Sequence, residues 1–280
     1  MGDTGQGTSN GGGGGTTRAS AGPANISQMQ ALARKSGSAA DQQLANEIDR
    51  IIRTTRITAS DQDPGDTQKF FNAIGYMKNK PKTVKTENDL EKEIKAGNQS
   101  TDYPYYIFHG DSATSAKQGK AFAEQLHGKT DQYLPSGRLG DGIYFSTSPT
   151  GSAGYMDSRY GRQTKAILNK KAKIISDRAL DSKITAFRSS HPKAYKAIMN
   201  MNGSKNDNWG SSAKKSVFAA LFGYNVISDG RGNKTYDHYT SVFDRSVLTV
   251  VTGKTLVANN VFNQASRGYK GWDYRNPGET

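Results

Sequence analysis

Gly140-Asp141-Gly142-Ile143-Tyr144-Phe145-Ser146, followed by Ser152-Ala153-Gly154-Tyr155, is the stretch on which the reading of this chain turns. Ile143, Tyr144 and Phe145 suit a short strand entered through glycine, Pro149 marks a turn, and a helix carrying a serine and a tyrosine follows. Upstream, Tyr105-Tyr106-Ile107-Phe108-His109-Gly110-Asp111 is a second strand that switches from apolar to polar at His109. Two strands that end in ring or hydroxyl groups beside glycine suit a flat ligand. The rings offer stacking faces, and glycine lets backbone groups come close.

The pattern extends outward from these two strands. Further strands are expected near 165–169, 172–176, 224–228, 238–244 and 246–252, with the first two near 104–109 and 142–147. Helices fit 115–127, 150–158, 178–189, 192–201 and 211–222, the last ending at Gly223, a natural C-cap. This mixed order, with adjacent strands toward the end, predicts an α+β fold rather than a doubly wound parallel sheet. Ahead of it, Leu44, Ile48, Ile51 and Ile52 recur at helical spacing behind Asp41 as a cap. Phe70, Phe71, Ile74 and Met77 mark a second helix that stops before Pro81. A third starts at Thr86, with Asp89 completing a capping box, Leu90 and Ile94 on its apolar face, and Gly97 at its end.

Residues 1–26 hold a glycine run at 11–15 and almost no apolar side chain, so a flexible tail is expected. The run is not a phosphate loop, because no strand precedes it and no lysine follows at the required spacing. The expected organisation is a tail at 1–26, a helical segment at 27–99, a domain at 100–256 and a second tail at 257–280.

Lys and Arg outnumber Asp and Glu by 38 to 25, a net charge of +13 that favours polyanionic partners. A mild lysine cluster lies at Lys69, Lys78, Lys80, Lys82 and Lys85. The absence of cysteine excludes disulfides, thiolate metal sites and a thiol nucleophile. His109 and His238 lack a third ligand at suitable spacing, so no metal centre is expected. No signal-peptide pattern and no apolar run of about 18 residues occurs. These features predict a soluble, cytoplasmic protein with no membrane partner.

Together the motifs resemble the ADP-ribosyltransferase superfamily, on its diphtheria-toxin-like and poly(ADP-ribose)-polymerase-like branch. His109-Gly110 is similar to the first family motif, a strand ending in His-Gly. Gly140-Asp141-Gly142-Ile143-Tyr144-Phe145 and Ser152-Ala153-Gly154-Tyr155 are similar to the second, including the interval between the two tyrosines. The resemblance covers residues 100–252. It implies a split mixed β-sheet with flanking helices, and NAD as substrate without a metal. It further implies that His109 anchors the adenine-side ribose, Tyr144 and Tyr155 pack on nicotinamide, and Gly110 and Ser152 hold the carboxamide.

The third family motif is a strand carrying glutamate, which orients the nicotinamide ribose. Here the strand is Asp237-His238-Tyr239-Thr240-Ser241-Val242-Phe243-Asp244. Counting back from Phe243-Asp244 puts Tyr239 at the glutamate position; a single bulge would put His238 there, and Asp237 is the nearest acid upstream. Departure from glutamate points to transfer of a single ADP-ribose, to protein or nucleic acid, rather than chain elongation. Ser146-Thr147-Ser148 is similar to the arginine-class second motif, but the first motif here holds His109 and no paired glutamates occur near the third strand. The segment 128–139, with Lys129, Asp131, Tyr133 and Arg138, lies where the resemblance places acceptor access. The alternative is a weak or inactive module that binds NAD or ADP-ribose. A packaged phage protein is compatible with the glycine-rich tail, the lack of cysteine and the leading helices.

Overall fold

Asn25 opens the first helix by accepting the Gln28 N–H on its side-chain oxygen at 3.2 Å. The computed structural model describes residues 24–55, 65–111, 113, 115–130, 134–135, 137–153, 162–203, 210–229, 238–253 and 256–257. Composition assigned residues 24–26 to a tail, but the Ala24 N–H bonds to the Ala73 carbonyl at 3.1 Å. Helix α1 (Ile26–Arg34) buries Met29, and α2 (Ser38–Thr54) buries Leu44, Ile48 and Ile51 along one face, as their spacing requires. Helix α3 (Asp66–Ala73) buries Phe70 and Phe71 and ends where Gly75 adopts φ 85°, a left-handed turn that glycine takes without steric cost.

Strand β1 (Lys82–Val84) was not expected from the sequence. Helix α4 (Glu87–Lys95) has the expected capping box: Asp89 N–H donates to the Thr86 hydroxyl at 3.1 Å, and Thr86 N–H donates to the Asp89 carboxylate at 3.3 Å. The chain continues through β2 (Tyr106–Asp111), α5 (Ala116–Leu126), β3 (Ile143–Ser146), α6 (Pro149–Ala153), β4 (Arg162–Leu168) and β5 (Ile174–Ser176). Then come α7 (Asp177–Ser190), α8 (Pro192–Met199) and α9 (Lys215–Leu221), which a 3-10 turn at Gly210–Lys214 precedes. Strands β6 (Val226–Ser228), β7 (Tyr239–Val242), β8 (Leu248–Val251) and β9 (Leu256–Val257) complete the described chain. The helix expected over 150–158 is seen to residue 153, and its remainder lies outside the described residues.

The strands form one mixed sheet in the order β1-β8-β4-β2-β3-β7-β6-β5, with β9 also on β4. β1 runs parallel to β8 and β5 parallel to β6, while the other pairs are antiparallel. The architecture is therefore α+β, as expected. The segment before residue 100 belongs to this body: it supplies an edge strand, and its Leu44, Ile48, Phe70 and Phe71 join the same core as Phe145, Phe218 and Phe243. Leu90 of α4 covers a smaller cluster with Tyr106, Phe108, Ile167 and Val251 on the sheet.

Two buried charges fasten these layers. Asp41 does not cap its own helix. It lies in the first turn of α2, and the N-cap Gly37 offers no side chain. Its carboxylate, 2% exposed, accepts the Lys193 N–H at 3.1 Å and the Ala194 N–H at 2.8 Å, capping α8 from a distant part of the chain. Arg245 is fully buried and donates to the carbonyls of Asn79 and Met77 at 3.0 Å each, of Thr130 at 3.0 Å, and of Gln125. Asp41→Ala strands two donors at the start of α8 and should lower the unfolding free energy by about 2 kcal/mol in denaturant titrations. Arg245→Met leaves several buried carbonyls unpaired and should cost more, roughly 3 kcal/mol or above.

Candidate functional site

Three neighbouring strands carry the residues singled out from sequence. β2 lies beside β3, and β3 beside β7, so His109, Tyr144 and Tyr239 come from adjacent strands. Tyr144 is opposite Ser241, and Ser146 is opposite Tyr239. The β2–β3 ladder holds one register pair, Phe108 with Ser146, against six between β2 and β4. Beyond that pair, toward Gly110 and Tyr144, a side chain rather than a backbone ladder joins the strands. His109 Nδ1 lies 2.6 Å from the Tyr144 carbonyl oxygen.

The other ring nitrogen of His109 lies 2.7 Å from Asp111 Oδ1. Carbonyl and carboxylate are both acceptors, so the ring satisfies both only as the doubly protonated imidazolium. Burial lowers its pKa, but the Asp111 charge and the two hydrogen bonds outweigh burial and hold it above the ordinary imidazole value. The His109 ring also rests against Phe145, with centroids 5.4 Å apart. Around this pair, three buried polar atoms have no hydrogen-bond partner: Asp111 Oδ2, His127 Nε2 and Thr164 Oγ1. Thr164 is opposite His109 in the β2–β4 ladder, and Arg162 is opposite Asp111. Burial and the nearby Lys129 hold His127 below the ordinary imidazole range.

Tyr144 is tied into the loop that leads to its own strand. Its hydroxyl accepts the Leu139 N–H at 2.9 Å and donates to the Gly140 carbonyl at 2.7 Å, and burial pushes the phenol pKa well up. This tight return explains the glycines. Gly140 has φ 91°, and a Cβ on Gly142 would collide with the Ser241 hydroxyl. Ser152 is buried at 2% exposure, donates to the Pro149 carbonyl at 2.9 Å and accepts from Gln163 Nε2. Gln163 is opposite Gly110, so α6 brings Ser152 to the His109-Gly110 strand end through that amide. Tyr155 and Asp237, the second clamp ring and the upstream acid of the sequence reading, lie outside the described residues, as do Asp131 and Tyr133.

At the start of β7, His238 N–H donates to the Thr147 hydroxyl at 3.1 Å, and the Thr147 N–H donates to the His238 carbonyl at 3.0 Å. Sequence reasoning missed Asp229. It follows β6, its N–H donates to the Tyr239 carbonyl at 3.0 Å, and its carboxylate lies 3.7 Å from His238 Nδ1. Eight residues lie between Asp229 and His238 in the chain, and the β6–β7 pairing brings the two together. Among the described residues, no group of three or more metal-ligating side chains occurs. No helix among them is long and apolar enough to cross a membrane.

Searches of protein-family models, curated proteins and solved structures find no match to the chain.

The His109–Asp111 pair makes stability pH-dependent. Because the folded pKa is raised, the pair's contribution is complete below the ordinary imidazole value of 6.5 and is lost as pH rises through the folded pKa. The stability gap between wild type and Asp111→Asn should therefore be widest in mildly acidic buffer and shrink as pH rises, measured by denaturant unfolding.

Proposed function

We propose that this chain is an NAD-dependent ADP-ribosyltransferase that moves a single ADP-ribose onto a protein or nucleic-acid acceptor. The observation that carries the reading is the adjacency of β2, β3 and β7, with His109 held on the Tyr144 carbonyl where the β2–β3 ladder opens. His109 and Tyr144, 35 residues apart in sequence, flank that opening, and Tyr239 lies on the next strand, opposite Ser146. Nicotinamide would enter beside Tyr144, its carboxamide meeting Gly110 backbone groups and the Ser152 hydroxyl, with Tyr155 closing the other face. A ribose hydroxyl would meet the His109–Asp111 pair, in which Asp111 Oδ2 has an open acceptor site. Leaving-group departure makes the ribose carbon cation-like, and catalysis consists of positioning the acceptor and stabilising that charge.

A binding module is the second reading. It is favoured by the internal hydrogen bonds that engage Tyr144, Ser152 and His109, and by the tyrosine at the third-motif position.

Incubation with labelled NAD and cell lysate separates the two. Wild type should label an acceptor, with Tyr144→Ala and His109→Ala reducing labelling about 100-fold or more. Calorimetric NAD binding without nicotinamide release would instead support the module, and equal labelling by all three proteins would remove this site as the catalyst.

A further inference from the structure

We infer that Asp229 and His238 form a general-base couple that takes the proton from the acceptor during transfer, an inference that rests on the proposed transferase reading. Asp229 has a side chain only 4% exposed, and its Oδ1 is buried without a hydrogen-bond partner. A buried carboxylate oxygen without a partner lowers stability. Asp229 Oδ1 faces His238 Nδ1 at 3.7 Å, an ion-pair distance that a small approach turns into a hydrogen bond. Such bonds are commonly long before substrate arrives. With Nδ1 directed at the carboxylate, the lone pair is left on Nε2, the tautomer a general base needs.

The surroundings hold the ring in place. Tyr105, at the start of β2, lies parallel to His238 with centroids 6.2 Å apart, and Tyr103 packs edge-on against Tyr105 at 5.1 Å. The Tyr103 hydroxyl is buried without a partner; burial and the Asp229 charge push its pKa up, so it stays a neutral phenol. The titratable groups around His238 among the described residues are therefore Asp229, Tyr105 and, behind them, Tyr103. The paired hydrogen bonds between His238 and Thr147 lock the ring's backbone to the end of β3. Three strand residues, about 10 Å, separate Thr147 from Tyr144. The His109 ring rests against Phe145, which alternates with Thr147 on one face of β3, so a ribose held at His109 would share its face with His238.

An acceptor hydroxyl oxygen bonds to the ribose C1′, and the C1′–N bond to nicotinamide breaks with its electron pair passing to the ring nitrogen. The hydroxyl proton moves to His238 Nε2, and Asp229 stabilises the imidazolium until solvent takes the proton. Asp229 acts as a positioning residue and His238 as the catalytic one. This arrangement also accounts for a third strand without glutamate, because the acid comes from the neighbouring strand.

The test uses the full-length protein, NAD binding by calorimetry, nicotinamide release into water and transfer to total cell protein. His238→Ala should bind NAD like wild type, lose about 100-fold in kcat with little change in KM, and recover activity on addition of imidazole. Asp229→Asn should lose about tenfold. That loss should fall on kcat and leave KM unchanged. Unchanged melting temperatures would show that both variants fold. NAD binding with wild-type transfer rates in both variants would overturn the couple while leaving the transferase reading intact. Loss of activity in His238→Ala with no imidazole recovery would overturn it too. Failure of the wild type to bind NAD would overturn both.

Discussion

A single buried guanidinium holds the parts of this molecule in register. Arg245 sits between β7 and β8 and donates to carbonyls of the turn at 77–79, of the last turn of α5, and of residue 130. Carbonyls at a helix C-terminus carry partial negative charge, so a cation there is stabilised by the dipole as well as by its hydrogen bonds. The two regions that Arg245 joins, 77–79 and 125–130, are each more than 100 residues from it in the sequence. Arg245 fixes where α5 ends, and therefore where His127 stands relative to Asp111. The turn after α5 is correspondingly tight: Gly128 has φ 75°, and a Cβ there would strike Pro81. The strands that carry His109 and Tyr239 are joined through β3 in the same sheet.

The strands and most helices were legible in the sequence because their signals are local. Ile107, Phe108, Ile143, Phe145, Ile167 and Val250 alternate or cluster within a few residues, and Gly97 and Gly223 end their helices where the pattern stops. Strand β1 was not legible, since Lys82-Thr83-Val84 is an edge strand with exposed polar side chains and no apolar run. Helix α1 was obscured by the glycine-rich stretch before it and by its short apolar stripe. Asp41 read as a cap because its type and place suited one, but the helix it caps begins 151 residues later in the chain. Asp229 was invisible for the same reason. Its importance comes from the β6–β7 pairing, and nothing within its own segment marks it.

The side chains of the candidate site also serve the fold. Tyr144 hydroxyl closes the loop from Leu139 to Gly140, Ser152 hydroxyl links Pro149 to Gln163, and His109 bridges Tyr144 and Asp111. Each side chain is therefore pinned in one rotamer, and a ligand meets a site whose ordering entropy is already spent. The cost is competition: a ligand amide or hydroxyl must match hydrogen bonds that exist. For the tyrosine this matters little, because stacking uses the ring face while the hydroxyl stays engaged.

The polar groups without partners obey a different logic. Asp111 Oδ2, His127 Nε2 and Thr164 Oγ1 gather around the first motif, and Asp229 Oδ1 and Tyr103 hydroxyl gather around the third. A protein under selection for stability alone would replace such atoms with apolar ones, since an unpaired buried polar group lowers stability by 1–3 kcal/mol or so. These five lie toward the two ends of β3 and its neighbours, while Thr240 Oγ1 on β7 and Thr249 Oγ1 on β8 are also buried without a partner. The first group is grouped around an imidazolium and suits a ligand that donates and accepts hydrogen bonds. The second pairs a carboxylate with an imidazole and suits proton transfer. One strand, β3, lies between two polar groupings of different chemistry.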